Sequence, residues 1–280
     1  MKYISHPASQ SGLSLIELMV AVTLGLMITT SLGYILMGSR STYLAQDASA
    51  RVQDTGRFAL EFIGRQLRSA GRIDITPLAS DSRTTETIPS GGWTPISGSH
   101  GAVAAGGNAA VNAGGVVTIN GGTRQTDTLV VQYQLSDQGV SRTRDCNNAG
   151  DDIPLTAIPG GGGQYGTVSN TIGIGGANLE LACTGNGGGG AQPFAEGVED
   201  LQIRYAEAGA PGAFNITPAN LSNVVAVQVC IMVRSLNNGA TNAPQTIRDC
   251  SGALYVPNDT RLRRTFTSVF TLRNRVNTLP

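Results

Sequence analysis

The chain has 280 residues and balances 19 Lys+Arg against 19 Asp+Glu, so net charge offers no basis for binding nucleic acid or holding a membrane surface through basic patches. Charged residues reach only 14%, and the 37 glycines follow no Gly-X-Y period, which excludes a collagen-like chain. Two histidines, and four cysteines separated by 36, 46 and 19 residues, exclude a zinc ribbon or a Cys-x-x-Cys redox pair, and no cofactor is expected.

Residues 1–12 are short, polar and weakly basic through Lys2. Leu13 to Gly38 follows with 26 residues and one charge, Glu17. At about 1.5 Å per residue this stretch can cross a hydrocarbon core of about 30 Å. A secretory signal has its small-residue cleavage site after the apolar segment. Here Gly12 precedes it, so cleavage at that point would keep the apolar helix on the mature protein. The basic leader predicts a cytoplasmic N-terminus, with the chain beyond Arg40 outside the inner membrane. A carboxylate within such a helix costs about 2.5–3.5 kcal/mol on insertion scales, which makes Glu17 a functional-site candidate, the alternative being a residue near the helix end that reaches interfacial water.

From 39 to 72 the helix continues without proline. Leu44, Ala48, Val52, Ala59, Phe62, Ile63 and Leu67 recur at helical spacing, with Arg51, Asp54, Arg57, Glu61 and Arg65 between them. The stripe is interrupted at Thr55-Gly56, which argues against an extended coiled coil. Gly25, Gly33 and Gly38 weaken the apolar half, either as bending points or as packing positions.

The string Gly12-Leu13-Ser14-Leu15-Ile16-Glu17 resembles the type IV prepilin processing site: a glycine, a hydrophobic residue, three more residues, then glutamate. The resemblance implies that an inner-membrane prepilin peptidase cuts after Gly12 and methylates the new terminus at Leu13, where the family usually has Phe. It also implies that Glu17 neutralises the terminal amine of a neighbouring subunit in a filament. GRFALEFIGRQLRSAGR (56–72), GVEDLQIRY (197–205), VVAVQVCIMVRS (224–235) and LRRTFTSVFTLRNR (262–275) resemble the PilW-type minor pilins. A cysteine often follows the Ala-Gly of that family, whereas this chain continues Arg72-Ile73. The implied fold is α+β and type IV pilin-like, with a long N-terminal helix packed on an antiparallel β-sheet head. The implied function is non-enzymatic: a minor pilin that primes pilus assembly at or near the tip, with other minor pilins and the major pilin as partners. A J-type pseudopilin of a type II secretion system is the alternative. Either would reside in the inner membrane before assembly, its head in the periplasm.

The head, 73–280, reads as β structure. Strands are expected at Val116–Asn120, Thr128–Gln134, Leu201–Ala206, Val224–Arg234 and Thr265–Arg273, the clearest being Val224–Arg234, where Val225, Val227, Val229, Ile231 and Val233 alternate. Residues 91–190 hold 25 of the 37 glycines, including runs at 160–163 and 187–190, and predict exposed, flexible loops inserted around 91–195. Gly161-x-Gly163-x-x-Gly166 and Gly185-x-Gly187-x-x-Gly190 match a dinucleotide fingerprint, but neither joins an expected strand to a helix. Asp145, Asn147, Asn148, Asp151 and Asp152 could offer oxygens to calcium, although they lack the EF-hand order and suit ordinary turns. His100 has no catalytic partner set in sequence. Cys146, Cys183, Cys230 and Cys250 form an even set in an oxidising compartment and allow three connectivities. The sequence-local one, Cys146–Cys183 with Cys230–Cys250, is expected from loop size.

Overall fold

A computed structural model describes residues 12, 14–72, 75–77, 84–86, 96–99, 116–119, 122–135, 144–148, 153, 156–157, 164–175 and 179–274. Most of the leader, Leu13, His100, the glycines at 160–163 and the pair Asp151–Asp152 lie outside the described residues. Helix α1 runs Leu15–Ser69. The chain divides into two compact units, 1–46 and 47–280.

In the first unit the helix is apolar on all sides and meets the length and composition needed to cross a membrane. Leu15, Ile16, Met19, Met27, Ile28, Ile35 and Leu36 are all more than half exposed. The interspersed hydroxyls are satisfied locally: Thr30 Oγ1 donates to Leu26 O at 2.6 Å and Ser31 Oγ to Met27 O at 2.8 Å. A helix in hydrocarbon requires this, because no water is present to accept such protons.

In the second unit, residues 47–69 of α1 bury a stripe of Val52, Gly56, Ala59, Ile63, Gly64 and Leu67. Gly56 is therefore part of the stripe and not the interruption expected from sequence. A methyl group there would overlap the Phe266 ring, and one on Gly64 would overlap Phe270. Eight helical residues rise about 12 Å, and four strand residues rise about 13 Å. The two notches therefore match two rings on one strand face. Leu44 is exposed and belongs to the first unit.

Eight strands carry the head: β1 Ile96–Ser99, β2 Thr128–Leu135, β3 Gln164–Gly175, β4 Glu180–Gly185, β5 Gln192–Ala195, β6 Val198–Glu207, β7 Val224–Arg234 and β8 Arg263–Thr271. Strands β1 to β5 form an antiparallel meander, with Thr156–Ala157 also pairing with β3. Strands β6-β7-β8 form a second antiparallel sheet. Short antiparallel pairs also form between Ile75–Pro77 and Thr84–Glu86, Val116–Ile119 and Gly122–Gln125, and Ile247–Arg248 and Leu254–Tyr255. Both sheets and the helix share one core, in which Ile63 and Leu67 join Val131, Val168, Ile172, Leu181, Val229 and Ile231. Phe62 stacks on Phe194 of β5 with centroids 4.0 Å apart.

The glycine-rich reading of 164–195 needs correction. Residues 164–175 and 180–195 supply three strands, and Val168, Ile172, Leu181 and Cys183 within them are buried. Their apolar residues alternate with Gly, Ser, Thr and Asn, so a period of two was present but diluted by small polar residues. Gly187–Gly190 forms the β4–β5 turn, where positive φ at Gly188, Gly189 and Gly190 explains the glycines. The fingerprint at Gly185–Gly190 thus leads from strand to strand, with no helix to cradle a phosphate.

Candidate processing and assembly site

Two regions carry the family-like residues. The first is the start of α1. Gly12 and Ser14 are exposed in irregular backbone, and Ser14 O accepts the Leu18 N–H at 3.1 Å. Glu17 stands exposed in the first helical turn. At that position its carboxylate meets the positive end of the helix dipole and the unpaired N–H groups of the first turn. It is the only charged residue between Leu13 and Ser39. Exposed Gly12 and Ser14 thus stand just ahead of an apolar stretch, to Gly38, that carries one carboxylate.

The second region is one end of the three-stranded sheet. Glu199, fully buried on β6, accepts from Arg263 Nε at 2.7 Å, Arg263 Nη2 at 3.0 Å and Arg234 Nη1 at 3.2 Å. Arg263 Nη2 also donates to Asp259 Oδ2 at 2.8 Å, and its guanidinium lies over the Tyr255 ring. Arg261 Nη1 donates to the carbonyls of Ser235 and Leu236. Burial opposes the Arg263 cation, but its hydrogen bonds to Asp259 and Glu199 outweigh that effect and hold it protonated more firmly than an ordinary arginine. The cluster joins β6, the end of β7 and the start of β8, so it fixes the register of three strands that are remote in sequence. It was not anticipated from sequence. The available signal was an acidic pair, Glu199-Asp200, inside an otherwise strand-like run, with Arg at the ends of the two partner strands.

The four cysteines come together in two bonds, Cys146–Cys183 with Cα atoms 6.2 Å apart and Cys230–Cys250 at 5.6 Å. The first ties the 144–148 turn to β4, and the second holds the 249–252 turn to the outer face of β7. Asp145 Oδ1 accepts the Asn147 N–H at 2.9 Å and its Oδ2 accepts the Gly187 N–H at 2.9 Å. That carboxylate therefore organises two turns. Among the described residues no cluster of three metal-ligating side chains occurs.

A family model for the prokaryotic N-terminal methylation motif matches residues 7–33. A second, for the type IV pilus-assembly protein W (PilW), matches residues 170–274. The chain thus joins a methylation-motif match at its N-terminal end to a PilW-model match in its head. The PilW match contains every member of the Glu199 cluster and all of β4 to β8. Among solved structures, a type IV-like pilin from Thermus thermophilus is similar at 13% identity, covering 81% of this chain and 99% of that one with a TM-score of 0.41. No curated protein matches the chain. The fold of the chain is α+β, a long N-terminal helix with antiparallel sheets.

Proposed function

We propose that this PilW-type protein is a minor pilin that primes type IV pilus assembly and sits at or near the filament tip. The observation that carries the reading is the accessible Gly12 ahead of an exposed apolar stretch, 13–38, whose one charge is Glu17. Prepilin peptidase cuts between Gly12 and Leu13 and the new Leu13 amine is methylated. The chain waits in the inner membrane with its head in the periplasm, its 13–38 segment spanning and 39–72 continuing as an amphipathic helix. On assembly that apolar surface is buried against other minor pilins and the major pilin. An ammonium and a carboxylate, each costly in an apolar bundle, become tolerable when the Glu17 carboxylate pairs with a neighbour's terminal amine.

The test has three parts. Mass spectrometry of the protein from cells should find N-methylated Leu13 as the first residue. Glu17→Ala should be inserted and cleaved, yet fail to enter filaments. Deleting the gene should sharply reduce surface pili while the major pilin is still made and processed, and blocking retraction should restore some filaments. Retention of residues 1–12 in functional material overturns the reading. Loss of enzyme export with pili intact would instead identify a J-type pseudopilin.

A further inference from the structure

The two edges of the three-stranded sheet are treated differently. Along the outer side of β6, Val198 N donates to Leu179 O, Asp127 N to Leu201 O, and Ile203 N to Asp127 Oδ2, while Tyr205 exchanges both backbone bonds with Asn215. That edge is stitched shut. The other edge is β8. Ser235 N donates to Leu262 O and Leu272 N to Val225 O, so the even-numbered residues of β8 bond to β7. Thr265, Thr267, Val269 and Thr271 therefore point their N–H and C=O groups outward, and among the described residues no strand pairs with that side.

Open edges are normally blunted by proline, lysine, a bulge or short length, because unpaired backbone groups recruit another strand. Strand β8 has nine residues, no proline and no register shift against β7. Its charges, Arg263 and Arg264, are confined to one end, and Thr265, Thr267, Val269 and Thr271 are exposed. At that same end lies a cavity of about 580 Å³ lined by Arg57, Arg248, Arg264, Gln53, Ile247 and Phe266. Arg263 also borders it but is neutralised by Glu199 and Asp259. Among the described residues no carboxylate lines the cavity, so Arg57, Arg248 and Arg264 border it with no acidic side chain beside them in the lining; Arg248 Nη1 donates to Gly252 O at 2.9 Å.

From this juxtaposition we infer that the outer edge of β8 accepts an extended strand from a neighbouring polypeptide. That strand carries acidic residues at the end lying beside Arg57, Arg248 and Arg264. Main-chain pairing along Thr267–Thr271 supplies affinity, and carboxylates forked by arginine set the register. That the neighbour is another filament subunit rests on the proposed function; the acidic strand-binding edge does not.

The test uses the full chain in detergent micelles and fluorescent, end-blocked heptapeptides of alternating Thr and Val. One peptide carries two glutamates at its N-terminal end, a second carries them at its C-terminal end, and control peptides carry lysines at those positions. One acidic peptide should bind saturably, and the end that works gives the strand direction. Val269→Pro removes an outward N–H without touching the ladder to β7, and should weaken that binding by about tenfold or more. Arg57→Glu with Arg264→Glu should transfer preference to the lysine peptide, a gain that an unfolded variant cannot show. Absence of saturable binding by either acidic peptide, equal binding by Val269→Pro and the parent chain, or equal affinity for acidic and basic peptides would each overturn the inference. Leu13 as the N-terminus of protein from cells is read separately, so failure here leaves the pilin reading standing and the converse also holds.

Discussion

Truncating Glu199 to Ala should destabilise the head far more than any surface substitution. Its carboxylate is fully buried and receives three hydrogen bonds, two from Arg263 and one from Arg234. Without it, Arg234 loses the ion pair it makes in this cluster, and Arg263 keeps only Asp259, which Arg261 also approaches. Arg263 cannot escape by losing its proton, since its surroundings favour the cation. Breaking a buried pair from one side costs about 3–5 kcal/mol. For a unit of this size each kcal/mol shifts Tm by about 2–4 °C, so a fall of about 6–20 °C is expected. The assay is thermal unfolding of the full chain in micelles, followed by circular dichroism under non-reducing conditions. Glu199→Leu combined with Arg263→Met should be milder than Glu199→Ala, because replacing both ions by apolar groups removes the uncompensated charge. A loss below about 1 kcal/mol, the range of exposed pairs, would refute the argument. So would a double variant that loses as much as its two single changes added together.

Three further outcomes follow from the core. Gly64→Val should cost about 1–3 kcal/mol by overpacking against Phe270; Phe270→Ala should recover part of that loss in the same chain, and denaturant midpoints of the two single variants and the double would expose purely additive losses. Burial, reinforced by the Asp127 carboxylate, pushes the Tyr205 phenol far above its ordinary pKa near 10. The unfolded chain therefore releases this proton above about pH 10 while the folded chain keeps it, so the stability contributed is complete below that pH and falls as pH rises by about 1.4 kcal/mol per unit. Tyr205→Phe should flatten the alkaline arm of a stability–pH profile, and an unchanged slope would count against this account. Replacing Cys146 and Cys183 with serine opens a link between residues 37 apart, with an expected loss of about 3–4 kcal/mol in denaturant unfolding; peptide mapping of the parent chain without reductant should recover both linked pairs.

The start of α1 was legible from sequence because its chemistry is local. An apolar run without proline, continued by an amphipathic stretch, reads as one helix from its own residues alone. Strand β7 was equally legible, because Val224–Arg234 is buried enough to keep its β-branched residues in an unbroken series. Tertiary structure decided what depends on partners distant in sequence. Gly56 looked like a defect until Phe266, more than 200 residues later, filled the space above it. Glu199 gave no sign of burial in the sequence, and only the fold brings Arg234 and Arg263 to it at the end of the sheet. Strands β3, β4 and β5 hid within glycine-rich sequence, because small residues report room for a neighbour without saying which neighbour occupies it. Which edge of the three-stranded sheet stays open is likewise set by pairing: β6 is covered by Asp127, Leu179 and Asn215, and β8 is left with backbone groups facing outward. Local physics fixes an element's type from its own residues, whereas its neighbours are selected by the complementarity of surfaces that only the folded chain brings together.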